Sequence, residues 1–443
     1  MDKKFLYGLI FTLFFTPAVT LAESVFINSS LCEPAASPCE PAAAPCEPVT
    51  APCEPAADVS CESYSHNSLL PLFKSGKSSY GKGSLLEQIK FDGWIQTGFY
   101  ANSRGTTTTR SPSVNSKGQD VSSPDFSSGN SALLTTLRSA DWQVNQIWLN
   151  TRKDADTSKG WDWGFGAEIL FGTDGWISQS WNDAAFDYGW QNGDYFTSIP
   201  RLYFQLAYAD WSIKVGKYET LVGYEPFRAQ GCFFYSHTHT FAMESYSHSG
   251  ALLEYTPNNK FYAALGYTTG TDGSFENKYD DHGLLGYVSY QFTPNTSLSY
   301  AFHVARYGNE QFYPSGNLRW WGNNNTFFHS LTFRHNLSAK WSYALLWEYG
   351  DAKNRTVGNH RIMYGITNYL IYQINDQWGL GFRASWAKDD KENAENIYGG
   401  YGWVGYYQGE VYSYTLGLKW NPYENISIRP EIRYDYCADP VFN

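Results

Sequence analysis

Side chains that could do chemistry gather between residues 232 and 248. His237, His239 and His248 lie near Cys232, and imidazole and thiolate groups are the ligands that zinc and copper prefer. A His pair spaced i, i+2 shares a face only in an extended strand. No carboxylate completes the set at a convincing spacing, so the pattern favours histidines in a loop or at a rim, and we expect no metal.

Serines next to these histidines raise the alternative of a hydrolase. Ser236, Ser245 and Ser247 lie close to histidines in the sequence. However, a nucleophile and its base are usually brought together by the fold rather than by the chain, and the sequence has no Gly-x-Ser-x-Gly elbow. We therefore expect no catalytic residues, no cofactor and no enzyme.

Five of the seven cysteines lie in one low-complexity stretch, which begins CEPAASPCEPAAAPCEP. Cys32, Cys39, Cys46 and Cys53 recur every seven residues, and Cys61 is one residue out of phase. The dense prolines predict an extended, polyproline-like tether without a core. In an oxidising compartment these thiols would pair with one another or with another chain. A metal site is the alternative, but every spacing exceeds that of a two-residue zinc knuckle.

The elements that position the remaining residues are predicted from Ile89 onward, where apolar and polar residues alternate in runs of about ten. In Trp341–Tyr349 and Trp378–Trp386, aromatic residues fill one face while the other carries small or charged residues. The connections after the second strand alternate between short and long, which is typical of outer-membrane barrels. The short connections lie near 154–159, 209–210, 257–259, 294–295, 336–338, 375–376 and 422–424, and the long ones are 102–140, 172–198, 220–246, 270–280, 308–324, 350–360 and 388–410.

These seven short and seven long connections join fifteen strands, the last at about 426–436. A bacterial single-chain barrel with both ends in the periplasm needs an even number of strands. The chain ends with CADPVFN, where a long outer loop should begin. We therefore predict an all-β, transmembrane, antiparallel up-and-down β-barrel of about 16 strands, whose last strand is missing from this chain. The alternative is an odd-stranded barrel or a miscounted strand.

Charged residues on the predicted inward face could line a pore. The phase of the alternation places there Arg201, Gln205, Lys214, Glu348, Arg383, Arg429, Glu431 and Arg433. Mixed charge on such a wall tunes ion selectivity, although each residue is equally well explained as a solvated interior side chain.

The long loop after the third strand is aromatic and acidic. It carries Asp174, Asp183, Asp187 and Asp194. Folded inward, this loop would narrow the pore and its carboxylates would favour cations. The alternative is a loop on the outer surface, where long loops usually lie.

The N-terminal residues and the composition agree with export to a membrane. Residues 1–22 read as a signal peptide, with Lys3 and Lys4, an apolar run and an ending in Ala22. Residues 23–61 form the tether, 62–88 a periplasmic linker and 89–443 the barrel. Aromatic residues make up 18% of the chain and charged residues 17%, compared with about a quarter charged in soluble domains. The net charge of −11 argues against a nucleic-acid partner.

Five segments follow one another along the chain: FDGWIQTGFYANS, VNQIWLNTRK, GWDWGFGAEILFGTDG, IKVGKYETLVGYE and FFYSHTHTF. In their order and spacing they resemble the OmpL-like β-barrel porins of the beta-barrel porin 2 family. The resemblance covers roughly residues 90–443 and is carried by the segments as a set. It implies an outer-membrane porin through which small hydrophilic solutes or ions diffuse passively.

A plugged structural or adhesive barrel, held through its cysteine-rich tether, is the alternative function. The expected partners are outer-membrane lipid and small hydrophilic solutes or ions. A homotrimer is compatible with the sequence, and so is a cell-wall or disulfide partner of the tether.

Overall fold

The structure is a computed structural model that describes residues 85–101, 110–111, 123–124, 141–180, 185–270, 272–277, 280–306, 324–354, 360–390 and 409–437. The expected signal peptide and the cysteine tether with Cys32, Cys39, Cys46, Cys53 and Cys61 lie outside the described residues, as does Asp183. The domain boundaries therefore stay predictions.

Antiparallel strands make up most of the described chain. They are β1 (Lys90–Tyr100), β2 (Arg110–Ser111), β3 (Ser123–Pro124), β4 (Asp141–Lys153), β5 (Asp162–Gly172), β6 (Gln191–Asn192), β7 (Tyr195–Ser198), β8 (Leu202–Tyr208), β9 (Trp211–Glu219), β10 (Ser247–Asn258), β11 (Phe261–Thr268), β12 (His282–Thr293), β13 (Thr296–Arg306), β14 (Asn324–Asn336), β15 (Trp341–Asn354), β16 (His360–Gln373), β17 (Trp378–Asp390), β18 (Gly409–Tyr423), β19 (Ile426–Ile428) and β20 (Glu431–Cys437).

The helices are single turns: α1 (Leu85–Gln88), α2 (Gly175–Ser178) and 3₁₀ turns at Thr157–Lys159, Ala229–Gly231 and Thr240–Met243. In the described part of the chain, no helix is long and apolar enough to cross a bilayer.

One sheet of 18 strands contains every strand except β2 and β3, which pair with each other. Strand β5 pairs with β7 and β8 in succession, and β18 pairs with β19 and β20 in succession. Strands β7 and β8 together form one interrupted strand of the wall, and so do β19 and β20. Strand β6 only extends β7. The described wall therefore has the fifteen predicted strands. The ladders run from β1, which pairs with β4, round to β20, and no ladder between described residues joins β20 to β1. The predicted all-β, antiparallel up-and-down barrel class is confirmed.

Tight turns occupy one end of the wall, close to the predicted positions. Asn258 accepts hydrogen bonds from the backbone N–H of Lys260 and Phe261, and Asn375 does the same for Gln377 and Trp378. Side chains that bond to the backbone two residues ahead mimic a turn, which is why Asn and Ser are common at these places. The turn residues themselves therefore determine where the short connections lie.

Aromatic pairs form a band beside these tight turns. Trp161 stacks on Tyr208, Trp211 on Tyr255 and Trp378 on Trp420, and Trp341 packs at a tilt against Tyr372. Apolar residues in the middle of the wall also face outward, as shown by the exposed Phe204 and Phe382. An aromatic girdle that flanks an outward apolar surface is typical of a barrel in a bilayer.

The inward face packs against loops instead of leaving every side chain in water. Trp94 and Trp148 of the first two wall strands stack at a ring-centroid distance of 4.7 Å. Both belong to a buried cluster with Trp176 and Ile177 of α2 and with Phe227, Phe241 and Tyr246. The core therefore lies between the wall and two long connections.

Candidate functional site

The connection between β9 and β10, residues 220–246, lies against the inward face of the wall, and we call it the inner loop. Its side chains Phe227, Phe233, Phe234 and Phe241 are buried. It contacts β4 and β5 on one side and β16, β17 and β20 on the other. The loop thus spans the lumen between two parts of the wall.

Arg228 anchors the inner loop to β5. Its guanidinium donates to both carboxylate oxygens of Glu168, at 2.6 Å for Oε2, and to Glu219 at 3.0 Å. Arg201 donates to the same Glu168 carboxylate, and the Arg228 guanidinium lies 4.8 Å from the ring centre of Trp148. Charge-assisted hydrogen bonds of this kind in a buried site are strong and directional.

Glu225 anchors the loop to a second part of the wall, strands β16 and β17. Its carboxylate accepts hydrogen bonds from Arg383 at 2.7 Å, from Tyr369 at 3.0 Å and from the backbone N–H of Thr238 at 2.9 Å. Burial alone would raise the pKa of Glu225. The charge of Arg383 and a hydrogen bond from His237 outweigh burial and lower the pKa to about 2.

Three more predicted pore-lining residues bind the backbone of the inner loop. Arg429 donates to the carbonyls of Ala229 at 2.7 Å and Cys232 at 2.8 Å. Glu431 accepts from the N–H of Tyr235 at 2.8 Å. Arg433 donates to the carbonyl of His237 and to Ser236 Oγ. These side chains satisfy loop polar groups that would otherwise be buried without partners.

The other predicted pore-lining residues also face inward but do not form one group. Lys214 pairs with Glu254 at 2.9 Å, and Gln205 donates to Ser212 at 3.0 Å. Arg201 belongs to the Glu168 anchor. Glu348 is fully buried on β15. The pore-lining role of these residues stays a prediction.

The described aspartates of the loop after β5 have different environments. Asp174 is buried and accepts hydrogen bonds from Gln146 at 2.9 Å and Asn145 at 3.2 Å. Burial raises its pKa to about 6. Asp187 is buried, accepts from the N–H of Ser180 and lies 3.5 Å from Lys217 Nζ, whereas Asp194 is partly exposed. Their predicted place in a constriction stays a prediction.

His237, His239 and Cys232 are spread along the inner loop and have separate partners. His237 contacts Glu225, while His239 contacts Asp435 and Arg433. Burial lowers the pKa of His239 below its ordinary value. The thiol of Cys232 donates to the carbonyl of Pro226. Among the residues that the structure describes, no three His, Cys, Asp or Glu side chains are arranged to hold a metal.

One serine does meet a histidine. Ser245 Oγ lies 3.0 Å from His248 Nε2, but both side chains are buried. The other ring nitrogen of His248 faces the carbonyl of Gly270 at 3.5 Å. A hydrolytic triad places a carboxylate there, so this pair lacks the third member.

Sequence reasoning missed Glu168, Glu225 and Arg228, which hold the inner loop in place. The signal that could have found Glu225 and Arg228 is the composition of the loop, where GYEPFRAQGCFFYSHTHTF combines many aromatics with one carboxylate and one guanidinium group. A loop in water rarely needs so many aromatic residues. Such a segment is better explained by burial against another part of the molecule.

The chain matches the family model described as "Putative beta-barrel porin-2, OmpL-like" over residues 88–443. No curated protein matches it. Solved structures with a similar fold include the anion-selective porin from Comamonas acidovorans, 14% identical with a TM-score of 0.42, covering 67% of this chain and 93% of that one. The outer membrane channel DcaP of Acinetobacter baumannii is 8% identical with a TM-score of 0.45, covering 79% and 97%.

Salmonella typhi OmpF in complex with daunomycin is 10% identical with a TM-score of 0.43, covering 79% of this chain and 97% of that one. The family match extends from just before β1 beyond the end of β20 and confirms the resemblance found in the sequence. The chain belongs to the OmpL-like beta-barrel porin-2 family of outer-membrane porins.

Proposed function

We propose that this porin lets small hydrophilic solutes or ions diffuse passively through a water-filled lumen that the inner loop narrows. The observation that carries the proposal is the two-sided anchoring of residues 220–246, by Arg228 to Glu168 on β5 and by Glu225 to Arg383 on β17. An aromatic loop held across a barrel by buried ion pairs reduces the open cross-section. The family is one of channels, and we propose no enzymatic activity.

Selectivity is the finer part of the proposal. The charged inward residues would set the field inside the lumen, and the acidic loop after β5 would favour cations. Asp174 and Asp187 are buried, whereas Asp194 is partly exposed and is therefore better placed to meet a passing ion. Neutralising Asp194 should therefore lower cation preference more than neutralising Asp174 or Asp187.

Export and assembly complete the proposal. Residues 1–22 would direct the chain across the inner membrane, and lipid would surround the outward apolar face. The tether could bind a cell-wall component or form disulfides with another chain. Assembly into a homotrimer would be tested by chemical crosslinking of the protein in isolated outer membranes.

A plugged structural or adhesive barrel is the second candidate function. The observation that favours it is an apolar cluster on the inward face, where Leu252, Leu285 and Phe328 are buried together with Leu221 of the inner loop. A barrel whose lumen is filled by side chains would anchor the cell envelope without conducting ions. The two candidates therefore differ in one measurable property, ion conductance.

Planar-bilayer conductance of protein purified from outer membranes tests the proposal. Stable ohmic steps are expected, with a reversal potential in a salt gradient that reports the preferred ion sign. Heat-dependent migration on electrophoresis would show in parallel that the barrel is folded. A folded barrel that never conducts would overturn the channel proposal in favour of the plugged barrel.

A further inference from the structure

The inner loop contacts the two ends of the wall as well as β5, β16 and β17. Counted round the ladders from β1, strand β4 is the second strand of the wall and β20 belongs to the fifteenth. Among the described residues, no ladder joins β20 to β1. Side chains from both ends instead bind the backbone and one hydroxyl group of residues 227–236, which we call the clamp segment.

Ala229 is bound from both ends of the wall through its backbone. Its N–H donates to the side-chain carbonyl of Gln146 on β4 at 3.2 Å, and its carbonyl accepts from Arg429, between β19 and β20, at 2.7 Å. Gln146 also donates to the carbonyl of Phe227 at 3.1 Å. Arg429 also donates to the carbonyl of Cys232 at 2.8 Å. Each of these two wall side chains is buried and satisfies polar groups of the loop backbone.

Tyr235 forms a second bridge farther along the clamp segment. Its N–H donates to one carboxylate oxygen of Glu431 on β20 at 2.8 Å, and the N–H of Ser236 donates to the other at 3.2 Å. At the other end of the wall, its hydroxyl accepts from Gln143 of β4 at 2.8 Å and donates to Asn145 at 3.3 Å. Only 2% of Tyr235 is exposed, and a buried hydrogen bond is costly to lose because the remaining partner cannot turn to water.

The strands next to β20 leave room for the clamp segment. On β18, Gly417 lies opposite Glu431, and a Cβ atom there would lie 2.8 Å from the ring of Phe234. On β17, a Cβ atom at Gly381 would lie 2.3 Å from the ring of Phe233. Glycine in a strand often marks a place where another part of the chain approaches closely. The inward face at this end of the wall is therefore shaped to hold the segment, and a larger residue would push it away.

A loop that only narrows the lumen needs support from some part of the wall, whereas the clamp segment binds both ends of the wall through single residues. We propose that residues 227–236 hold the second and the fifteenth strand of the wall together from inside the barrel. The two ends of the wall then keep a fixed separation only while this segment is seated. The inference goes beyond the proposed channel, because it concerns how the wall is held and applies equally to a barrel that does not conduct.

Hydrogen exchange of backbone amides tests this inference on the folded, full-length protein in lipid vesicles. Tyr235→Phe removes the two hydroxyl hydrogen bonds to β4 but keeps the aromatic ring and the backbone N–H that binds β20. Exchange in β1 and β20 should become faster on the order of tenfold, because these strands then open locally more often. Exchange in β12 and β13, in the middle of the wall, should stay unchanged.

Tyr262→Phe is the matched control. Its buried hydroxyl donates at 2.8 Å to Glu254 and so joins two neighbouring strands, β11 and β10. Loss of this bond should leave exchange in β1 and β20 at the wild-type rate. Gln143→Ala removes the contact with Tyr235 from the β4 side and should raise exchange in the same two strands. Combined with Tyr235→Phe it should add little, because both changes remove one contact.

Wild-type exchange in β1 and β20 of the folded Tyr235→Phe barrel would overturn the inference. An equal rise in β12 and β13 would also overturn it, since the segment would then support the wall as a whole. If Tyr235→Phe yields no folded barrel, Gln143→Ala alone decides by the same measurement. The readout needs only a folded barrel, so faster exchange at the two ends of a barrel that never conducts would support the clamp while rejecting the proposed channel.

Discussion

Asp174 shows how a single buried carboxyl group sets a pH dependence. Its hydrogen-bond donors are the neutral side chains of Asn145, Gln146 and Thr173, and burial raises its pKa from 3.8 to about 6. A folded-state pKa above the unfolded value means that the folded protein binds the proton more tightly. Its contribution to stability is therefore complete below about pH 4 and declines as the pH rises through 6.

Asp174→Asn should stabilise the protein at pH 8 but not at pH 4. About two pKa units correspond to roughly 3 kcal/mol at most, and the amide avoids burying a charge. Urea unfolding of the barrel in lipid vesicles at both pH values measures the difference. Asp187→Asn is the control and should destabilise the protein at pH 8, because it breaks the contact with Lys217. A variant Asp174→Asn that is less stable than wild type at pH 8 would contradict the role given to burial.

Glu225 gives the opposite pH dependence. Its pKa falls from 4.5 to about 2, so the stability it supplies is present above about pH 4.5 and is lost as the pH falls toward 2. Glu225→Gln leaves the buried guanidinium of Arg383 without its carboxylate, which typically costs about 3–5 kcal/mol. Limited proteolysis of the inner loop should be faster in this variant at pH 7. At pH 3 the wild-type loop should approach the cleavage rate of the variant, and unchanged cleavage would rule out the anchor.

At the scale of elements, the wall strands were predictable because their cause is local. Alternation with a period of two places apolar side chains toward lipid, and turn residues such as Asn258 and Asn375 end the strands. Both signals are contained within a few neighbouring residues. For this reason the short turns between wall strands lie within a few residues of their expected positions.

The inner loop was not predictable as an inward element, because its position depends on distant partners. Arg383 is 158 residues away from Glu225, and Arg433 is 197 residues away from Ser236. Contacts between residues so far apart leave no periodic pattern in the sequence. The sequence instead drew attention to the acidic loop after β5, whose carboxylates are conspicuous while its buried contacts are not.

Glycines at close strand contacts are a second element-scale feature. Gly216 in β9 has φ +134°, and a Cβ atom there would lie 2.3 Å from the backbone carbonyl oxygen of Leu202 in β8. Gly160 in a tight turn has φ +108°, but a Cβ atom there would meet nothing within 4 Å. The positive φ disfavours any residue other than glycine at both positions. Only at Gly216 would a Cβ atom also overlap with the backbone of the neighbouring strand.

Gly216→Ala should therefore destabilise the barrel by about 2 kcal/mol or more beyond the effect of Gly160→Ala, because strain and overlap add. Heat-dependent migration on electrophoresis gives the midpoint of barrel unfolding for both variants. A Gly216→Ala midpoint that is no lower than that of Gly160→Ala would show that β8 and β9 can separate locally at little cost.

At the scale of the whole molecule, the inner loop acts as a bridge between two parts of one wall. The Arg228 anchor reaches β5 and the Glu225 anchor reaches β17, so each contact holds the loop when the other is lost. Two supports of one rigid element should not contribute additively. Removing the second support should cost more once the first has gone.

Conductance should reveal this coupling. Arg228→Ala and Glu225→Gln are each expected to raise single-channel conductance slightly, and the double variant should raise it by more than the product of the two factors, because the loop then loses both of its ion-pair anchors to the wall. Lys90→Ala, which breaks the exposed pair with Asp154, is the control and should leave conductance unchanged. If the two effects simply multiply, the anchors act on separate parts of the loop. If neither variant changes conductance, the open path runs elsewhere in the barrel and the inner loop serves stability alone.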